Sequence, residues 1–329
     1  MADPLLVALF AVAAATSLTA SWLLVSRLER IGARLGLSEA LLGMLAALAG
    51  DGPEITSAVT ALLGGHARIG AGVVFGSNVF NLAALLGLGA VVSGYVALHR
   101  RVVLFEGLTA LLIAGIGASV VITGVPVTVG VLLGLAVFIP YATISASPKR
   151  GRLARRWREW LAEAVSQEQA ELHGALDTSP ARLGDVMVAA GALTVVIGAS
   201  IAMEQAAFTF GARHAVAQIV TGGLVLAVVT SLPNAVSAIY LARRGRGAAT
   251  LSAALNSNTL NVLAGLLIPA AIVGLGQPSS QTTLITAWYG GFTLAVLALA
   301  LHGRGLRRIA GSVIAATYVG FVVVVILVA

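Results

Sequence analysis

A stretch of this chain occurs twice. It begins Gly50-Asp51-Gly52-Pro53-Glu54 and runs through Gly76-Ser77-Asn78-Val79-Phe80-Asn81. Shifted by 180 positions, with no gap, it meets a second copy, Thr230-Ser231-Leu232-Pro233-Asn234 through Asn256-Ser257-Asn258-Thr259-Leu260-Asn261. Each copy sets a proline-interrupted polar stretch and an Asn/Ser cluster inside apolar sequence. Two halves built on one pattern must reach closely related folds. Broken hydrophobic segments at matching places in two halves are the sequence mark of a transporter's substrate site. The copies differ at one point: the first carries Asp51 and Glu54, where the second has Ser231 and Asn234.

The surroundings of the repeats decide the class. Of 329 residues, 58% are hydrophobic and 10% charged, with a mean hydropathy of +0.98. A soluble domain carries about a quarter charged residues, so the chain is expected to be an all-α polytopic membrane protein. The sequence divides into ten spans, roughly 4–26, 38–64, 69–93, 101–122, 125–146, 183–205, 213–242, 248–275, 282–302 and 308–328. Alternate loops hold the basic residues: Arg27, Arg30 and Arg34; Arg100 and Arg101; Lys149, Arg150, Arg152, Arg155, Arg156, Arg158 and Arg182; Arg243, Arg244 and Arg246; Arg304, Arg307 and Arg308. Only Arg68 and Arg213 remain for the other side. The positive-inside rule makes the basic loops cytoplasmic and both termini external, in the plasma (inner) membrane. The net charge of +7 is thereby a matter of topology, and no nucleic-acid partner is expected. The N-terminus has no positive region before its apolar run, so no cleavable signal peptide is expected. Without cysteine, disulfides and thiolate metal sites are excluded.

Five spans precede the longest basic loop and five follow, so the repeats are inverted in the membrane. The expected organisation is 1–148 for the first five-helix repeat, 149–182 for a cytoplasmic loop and 183–329 for the second repeat. The repeat motifs lie within about 40–90 and 220–270. In the loop, Leu153, Trp157, Trp160, Leu161 and Val165 share one side of a helix with arginines opposite. That face suits either an anionic-lipid surface around 150–165 or a solvated connector helix. Oligomeric state is not legible; a monomer suffices for the inverted plan.

Among the acids, Asp51 and Glu54 alone fall in the middle of a span, where an ionisable side chain costs about 2.5–3.5 kcal/mol and marks a polar pathway. Other acids, Glu106 and Glu204 included, are assigned to span ends or the loop. Gly50, Gly52 and Pro53 are expected to break the helix and release carbonyls, which must then be satisfied by protein or line a wet cavity. Carbonyls, carboxylates and amide oxygens together make an all-oxygen site for a hard cation. Ser77 and Asn81, like Ser257 and Asn261, are four apart and present oxygens on one helical face. No nucleophile–base pair, phosphate loop or metal-ligand histidine spacing is present, so transport would run on ion gradients, with no cofactor and no enzymatic step.

These residues resemble the cation/calcium exchanger superfamily, the sodium/calcium exchangers and their proton- or potassium-coupled relatives, whose two alpha-repeats look like G-T-S-x-P-E followed by G-S-N-x-F-N/D. The resemblance covers both repeats and the five-plus-five plan. It implies a central four-helix cation site and alternating access by sliding of the first and sixth helices. It also implies calcium binding by the repeat glutamates, helped by backbone carbonyls. That role carries over to Glu54, with Gly50 and Thr230 at the carbonyl positions. Asn234 departs from it, offering only a neutral oxygen, and Asn261 stands where many members have aspartate. Asp51 replaces a serine associated with a sodium site; Ser77, Ser231 and Ser257 are retained. Two carboxylates match the charge of one divalent ion, and their mutual repulsion in a low-dielectric site favours protons when that ion is absent. The expected cargo is calcium, exchanged for sodium or protons. Open alternatives are a member carrying a monovalent cation or another divalent metal, and a non-transporting membrane scaffold or sensor.

Overall fold

The computed structural model describes residues 2–35, 47–146, 159–163, 165–166, 183–277, 279–303 and 305–329. Its helices follow the apolar runs. They are α1 (Asp3–Arg34), α2 (Gly52–Leu63), α3 (Ala67–Ser93), α4 (Arg100–Thr123), α5 (Val127–Ala146), α6 (Leu183–Arg213), α7 (Gln218–Arg243), α8 (Gly247–Val273), α9 (Ser280–His302) and α10 (Arg308–Val328). Among the described residues, nine of these are long and apolar enough to cross a membrane. The exception, α2, belongs to the expected span 38–64, whose first part lies outside the described residues. The described remainder is helical at 47–50 and again from Gly52. Of the amphipathic loop face, Leu153 and Trp157 lie outside the described residues, while Trp160, Leu161 and Val165 fall in helical turns.

Two features were not expected. A short antiparallel ladder pairs β1 (Tyr95–Ala97) with β2 (Gly305–Arg307), joining the segments that lead into α4 and α10. Three π-helical stretches interrupt α3 at Leu82–Leu88, α7 at Thr221–Leu226 and α8 at Asn261–Leu267. Those in α3 and α8 begin within one residue of matching repeat positions, at Leu82 and Asn261. Single π turns inside helices are frequent at functional places.

The halves are arranged about a pseudo-two-fold axis that can be located from side chains. Asn78 and Asn258 are equivalent in the repeat, and each donates its amide to the other's backbone carbonyl, at 3.2 and 3.0 Å. Such reciprocal contact between equivalent residues places them beside the axis. Helices α3 and α8, which carry these residues, are the most buried of the spans. The long helices α1 and α6 pack against each other to one side. Their antiparallel pairing is closed at both ends by ions: Arg27 to Asp185 at 2.9 Å, and Arg213 to Asp3 at 3.1 Å. Midway, the buried Ser17 and Ser200 hydroxyls meet at 2.9 Å, the small polar contact common between membrane helices.

Candidate cation site

The site grows from the proline of the first repeat. Pro53 has no amide hydrogen, so the carbonyl of Ala49, four residues back, loses its helical donor. Sequence predicts unwinding here, and the chain does much less. Asp51 keeps a near-helical conformation (φ −78°, ψ −2°), with bonds from Asp51 N to Ala47 O and from Ile55 N to Asp51 O at 2.8 and 2.9 Å. The freed carbonyl is repaired from outside the helix: the Ser21 hydroxyl on α1 donates to Ala49 O at 2.9 Å and reaches Gly50 O at 3.4 Å. The break is thus a local swap of donors. Ser21 was not among the expected site residues, because a lone serine in an apolar helix carries no distinguishing signal.

Asp51 and Glu54 are both fully buried. Residues of the second repeat close over them. The Asn234 amide nitrogen lies 2.6 Å from Asp51 Oδ1 and 3.3 Å from Glu54 Oε1, bridging the acids. The Ser257 hydroxyl donates to Asp51 Oδ1 at 2.7 Å, and the Asn261 amide donates to Glu54 Oε2. Asn81 donates to Ser257 Oγ at 3.0 Å. Ser77 and Ser231 flank the Glu54 carboxyl group. Seven expected side chains, Asp51, Glu54, Ser77, Asn81, Asn234, Ser257 and Asn261, therefore meet in one network, with Ser231 beside it. Gly50 contributes closeness: a Cβ there would stand 3.0 Å from Asn234 Oδ1. Thr230 is placed differently. Its hydroxyl bonds back to Leu226 O at 2.9 Å, within its own helix.

Asn78 and Asn258 hold the amides from behind. Asn258 Oδ1 accepts from Asn81 at 3.2 Å, and Asn78 Oδ1 accepts from Asn261 at 3.1 Å. With the NH2 groups so committed, the carbonyl oxygens of Asn81 and Asn261 have no hydrogen-bond donor, nor does Asp51 Oδ2. Buried polar atoms are nearly always satisfied. All three of these exceptions are acceptors, and two are equivalent in the repeat. Their chemistry is what a hard cation requires of its ligands. Among the described residues no group of three or more His, Asp or Glu side chains is assembled; Asp51 and Glu54 are the two carboxylates of this network, and its other oxygens are neutral.

The sequence model of the sodium/calcium exchanger protein family matches residues 5–146 and 185–327, nearly all of both halves. This chain belongs to that family. It is 30% identical over 135 residues to the sodium/calcium exchanger MaX1 of Methanosarcina acetivorans, a match spanning 40% of this chain and 37% of that protein's length. In structure it is similar to the H+/Ca2+ exchanger CAX, with a TM-score of 0.74 at 16% identity over 95% of this chain and 80% of the other. It is also similar to the sodium-calcium exchanger NCX_Mj, soaked with 10 mM Na+ and zero Ca2+, with a TM-score of 0.63 at 19% identity over 97% and 98% of the two chains. The fold is that of an integral membrane protein with inverted five-helix halves, as the charge alternation and the repeat require.

Proposed function

We propose that the protein is a secondary antiporter that exchanges calcium or a similar divalent cation for sodium or protons at a site midway through the membrane. The observation that carries this reading is the enclosure of Asp51 and Glu54 by amides and hydroxyls of both repeats, with the Asp51, Asn81 and Asn261 oxygens left as free acceptors. Each side chain has a separate task. Asp51 and Glu54 supply the charge that matches one divalent ion. Asn81, Asn261, Ser77 and Ser257 replace its water, Asn234 spans the acids when the ion is absent, and Ser231 borders Glu54. In this reading the Gly50 and Thr230 carbonyls, at the positions the resemblance assigns to backbone ligands, assist the ion. Two protons or two monovalent ions restore neutrality on the return step, so the cycle moves by alternating access without a cofactor.

In the cell the basic loops face the cytoplasm, both termini lie outside the inner membrane, and the 150–165 segment meets anionic headgroups. Purified protein in liposomes tests the reading. Calcium uptake should be driven by an outwardly directed sodium or proton gradient, and Glu54→Gln should reduce it to the level of empty vesicles. Uptake indifferent to both gradients, or normal flux in Glu54→Gln, would overturn it.

A further inference from the structure

Helices α1 and α6 meet the core along a seam whose two ends are built from different chemistry. Toward the side of the termini, the Glu204 carboxylate on α6 is 3.3 Å from Nδ1 of His66, in the turn between α2 and α3. The Glu204 side chain is 3% exposed and that of His66 25%, so the imidazole is the member that reaches water. Phe208, one turn further along α6, stacks on the imidazole with ring centroids 3.7 Å apart and fixes its orientation.

The repeat supplies a comparison at the other end of the seam. The residues 180 positions away from Glu204, Phe208 and His66 are Leu24, Leu28 and Arg246. Leu24 is buried in an apolar cluster with Ala49, Ala189 and Ala192, and Leu28 packs against it. That end is closed by burial of apolar surface, which does not respond to protons. Helix packing at this place therefore does not require a carboxylate. An ionisable residue enclosed in a membrane helix marks a functional place by default.

Charge decides what the Glu204–His66 contact needs. His66 is the ionisable group that acts on Glu204. With one proton between them the two side chains are neutral together, as imidazolium and carboxylate or as imidazole and carboxylic acid. Without that proton the closed seam holds a net negative charge away from water, which is costly. Imidazole gains and loses its proton near neutral pH, and the proton belongs to the coupled groups together. We propose that Glu204 and His66 form a proton-operated gate. The shared proton holds α6 against the turn between α2 and α3, and its loss lets α6 part from the core on this side. The closed seam binds the proton more tightly than the open one, where water solvates the carboxylate, so acid favours closure and alkali favours opening. Only one end of the seam is gated in this way.

The other charged groups are placed as follows. The elements packed on α6 are α1, α2 and the start of α7. Helix α1 carries Asp3 at this end and Arg27, Glu29, Arg30 and Arg34 at the other; α2 has Asp51 and Glu54 at its start; α7 has Tyr240 and Arg243 at its far end. On α6 itself Asp185 lies at the opposite end, beside Arg27. At the near end Arg213 and the following His214 both bind Asp3. Arg68 follows His66 in the first turn of α3 and is exposed. The Asp3 contacts join α1 to α6 and do not cross the seam.

The chain has no cysteine, so spin labels can be set at Leu63→Cys and Gln205→Cys, exposed positions on the two sides of the seam. Electron resonance distances in calcium-free lipid nanodiscs read the gate directly. Going from about pH 8 to about pH 6, the short-distance population should grow several-fold. Glu204→Gln should remove this dependence. His66→Arg, which installs the residue of the equivalent position, should hold the short distance at both pH values. His214→Gln, which acts on Asp3, should leave the dependence as in the wild type. Distances in the wild type that ignore pH, a response that survives in Glu204→Gln, or one lost in His214→Gln would each overturn the gate. If Glu204→Gln does not give folded protein, His66→Arg carries the test, and a pH response persisting there overturns it.

The consequence for transport rests on the antiport reading above, in which this side is external. In uniformly oriented liposomes, acid on the external side should slow calcium flux more than acid on the internal side, and Glu204→Gln should remove the difference. Absence of flux in the wild type would defeat antiport and leave the distance result standing. Equal responses to acid on the two sides of the wild type would overturn the link between the gate and transport.

Discussion

Asn234 bridges the two acids with one amide nitrogen, 2.6 Å from Asp51 Oδ1, 3.3 Å from Glu54 Oε1 and 3.3 Å from Ser257 Oγ. Three oxygens around one N–H donor group resemble the surroundings of a cation, so the amide serves as a placeholder that holds the carboxylates together. Replacing Asn234 by aspartate changes almost no volume, removes that donor and adds a third charge. Calcium sites gain affinity with ligand charge. At an effective dielectric near 20, one more carboxylate about 4 Å from a divalent ion is worth several kcal/mol before desolvation. Asn234→Asp should therefore bind calcium more tightly, by on the order of tenfold or more, and turn over more slowly, because three charges must be neutralised on the return step. Titration calorimetry and liposome flux on the same preparation check both halves. Unchanged affinity would remove Asn234 from the ion's surroundings.

At the level of elements, the position of the site depends on how closely α3 can approach the start of α7. A Cβ on Gly76 would fall 2.2 Å from Gly223 O, and one on Gly222 would fall 2.3 Å from Ile69 O. These neighbours are backbone atoms, which cannot swing aside. Gly76→Ala should cost about 3 kcal/mol or more and displace Ser77 and Asn78 with it. Gly115→Ala, where a Cβ meets nothing within 4 Å, should be neutral or stabilising by about 0.5–1 kcal/mol. Thermal unfolding in detergent compares the two.

The same scale shows what could be read from sequence. The spans and the inverted plan were legible, because apolar runs and loop charge report the membrane directly. The Asp51–Glu54 centre was legible because a carboxylate in mid-span is too costly to keep unless it faces a polar pathway. The π-helical stretch that follows Asn81 was not, since it depends on hydrogen-bond register rather than composition. Nor were the depths of Glu106 and Glu204. Glu106 lies near a span start and Glu204 near a span end, and burial there is decided by neighbouring helices: Tyr141 for Glu106, and the His66–Phe208 stack, with centroids 3.7 Å apart, for Glu204.

For the whole molecule, the question is which parts move together. Helices α1 and α6 are tied at both ends by Arg27–Asp185 and Arg213–Asp3 and in the middle by Ser17–Ser200. Among the described residues, Ser21 and Glu204 make polar ties from this pair to the core. Ser21 reaches the Ala49 and Gly50 carbonyls, and the buried Glu204 is 3.3 Å from His66 Nδ1 in the turn between α2 and α3. If alternating access slides this pair over the core, the ties inside the pair persist and the ties to the core break. The chain has no cysteine, so introduced thiols report alone. A Ser17→Cys/Ser200→Cys bridge should leave calcium flux intact, whereas His66→Cys/Glu204→Cys, joined by a short bifunctional thiol reagent, should stop it until the link is cleaved. Singly substituted proteins treated alike separate the cost of the mutations from that of the link. Flux abolished by the Ser17–Ser200 bridge and restored by reductant would show that α1 and α6 part during the cycle, and the ion pairs at their ends would then have to open in every turnover.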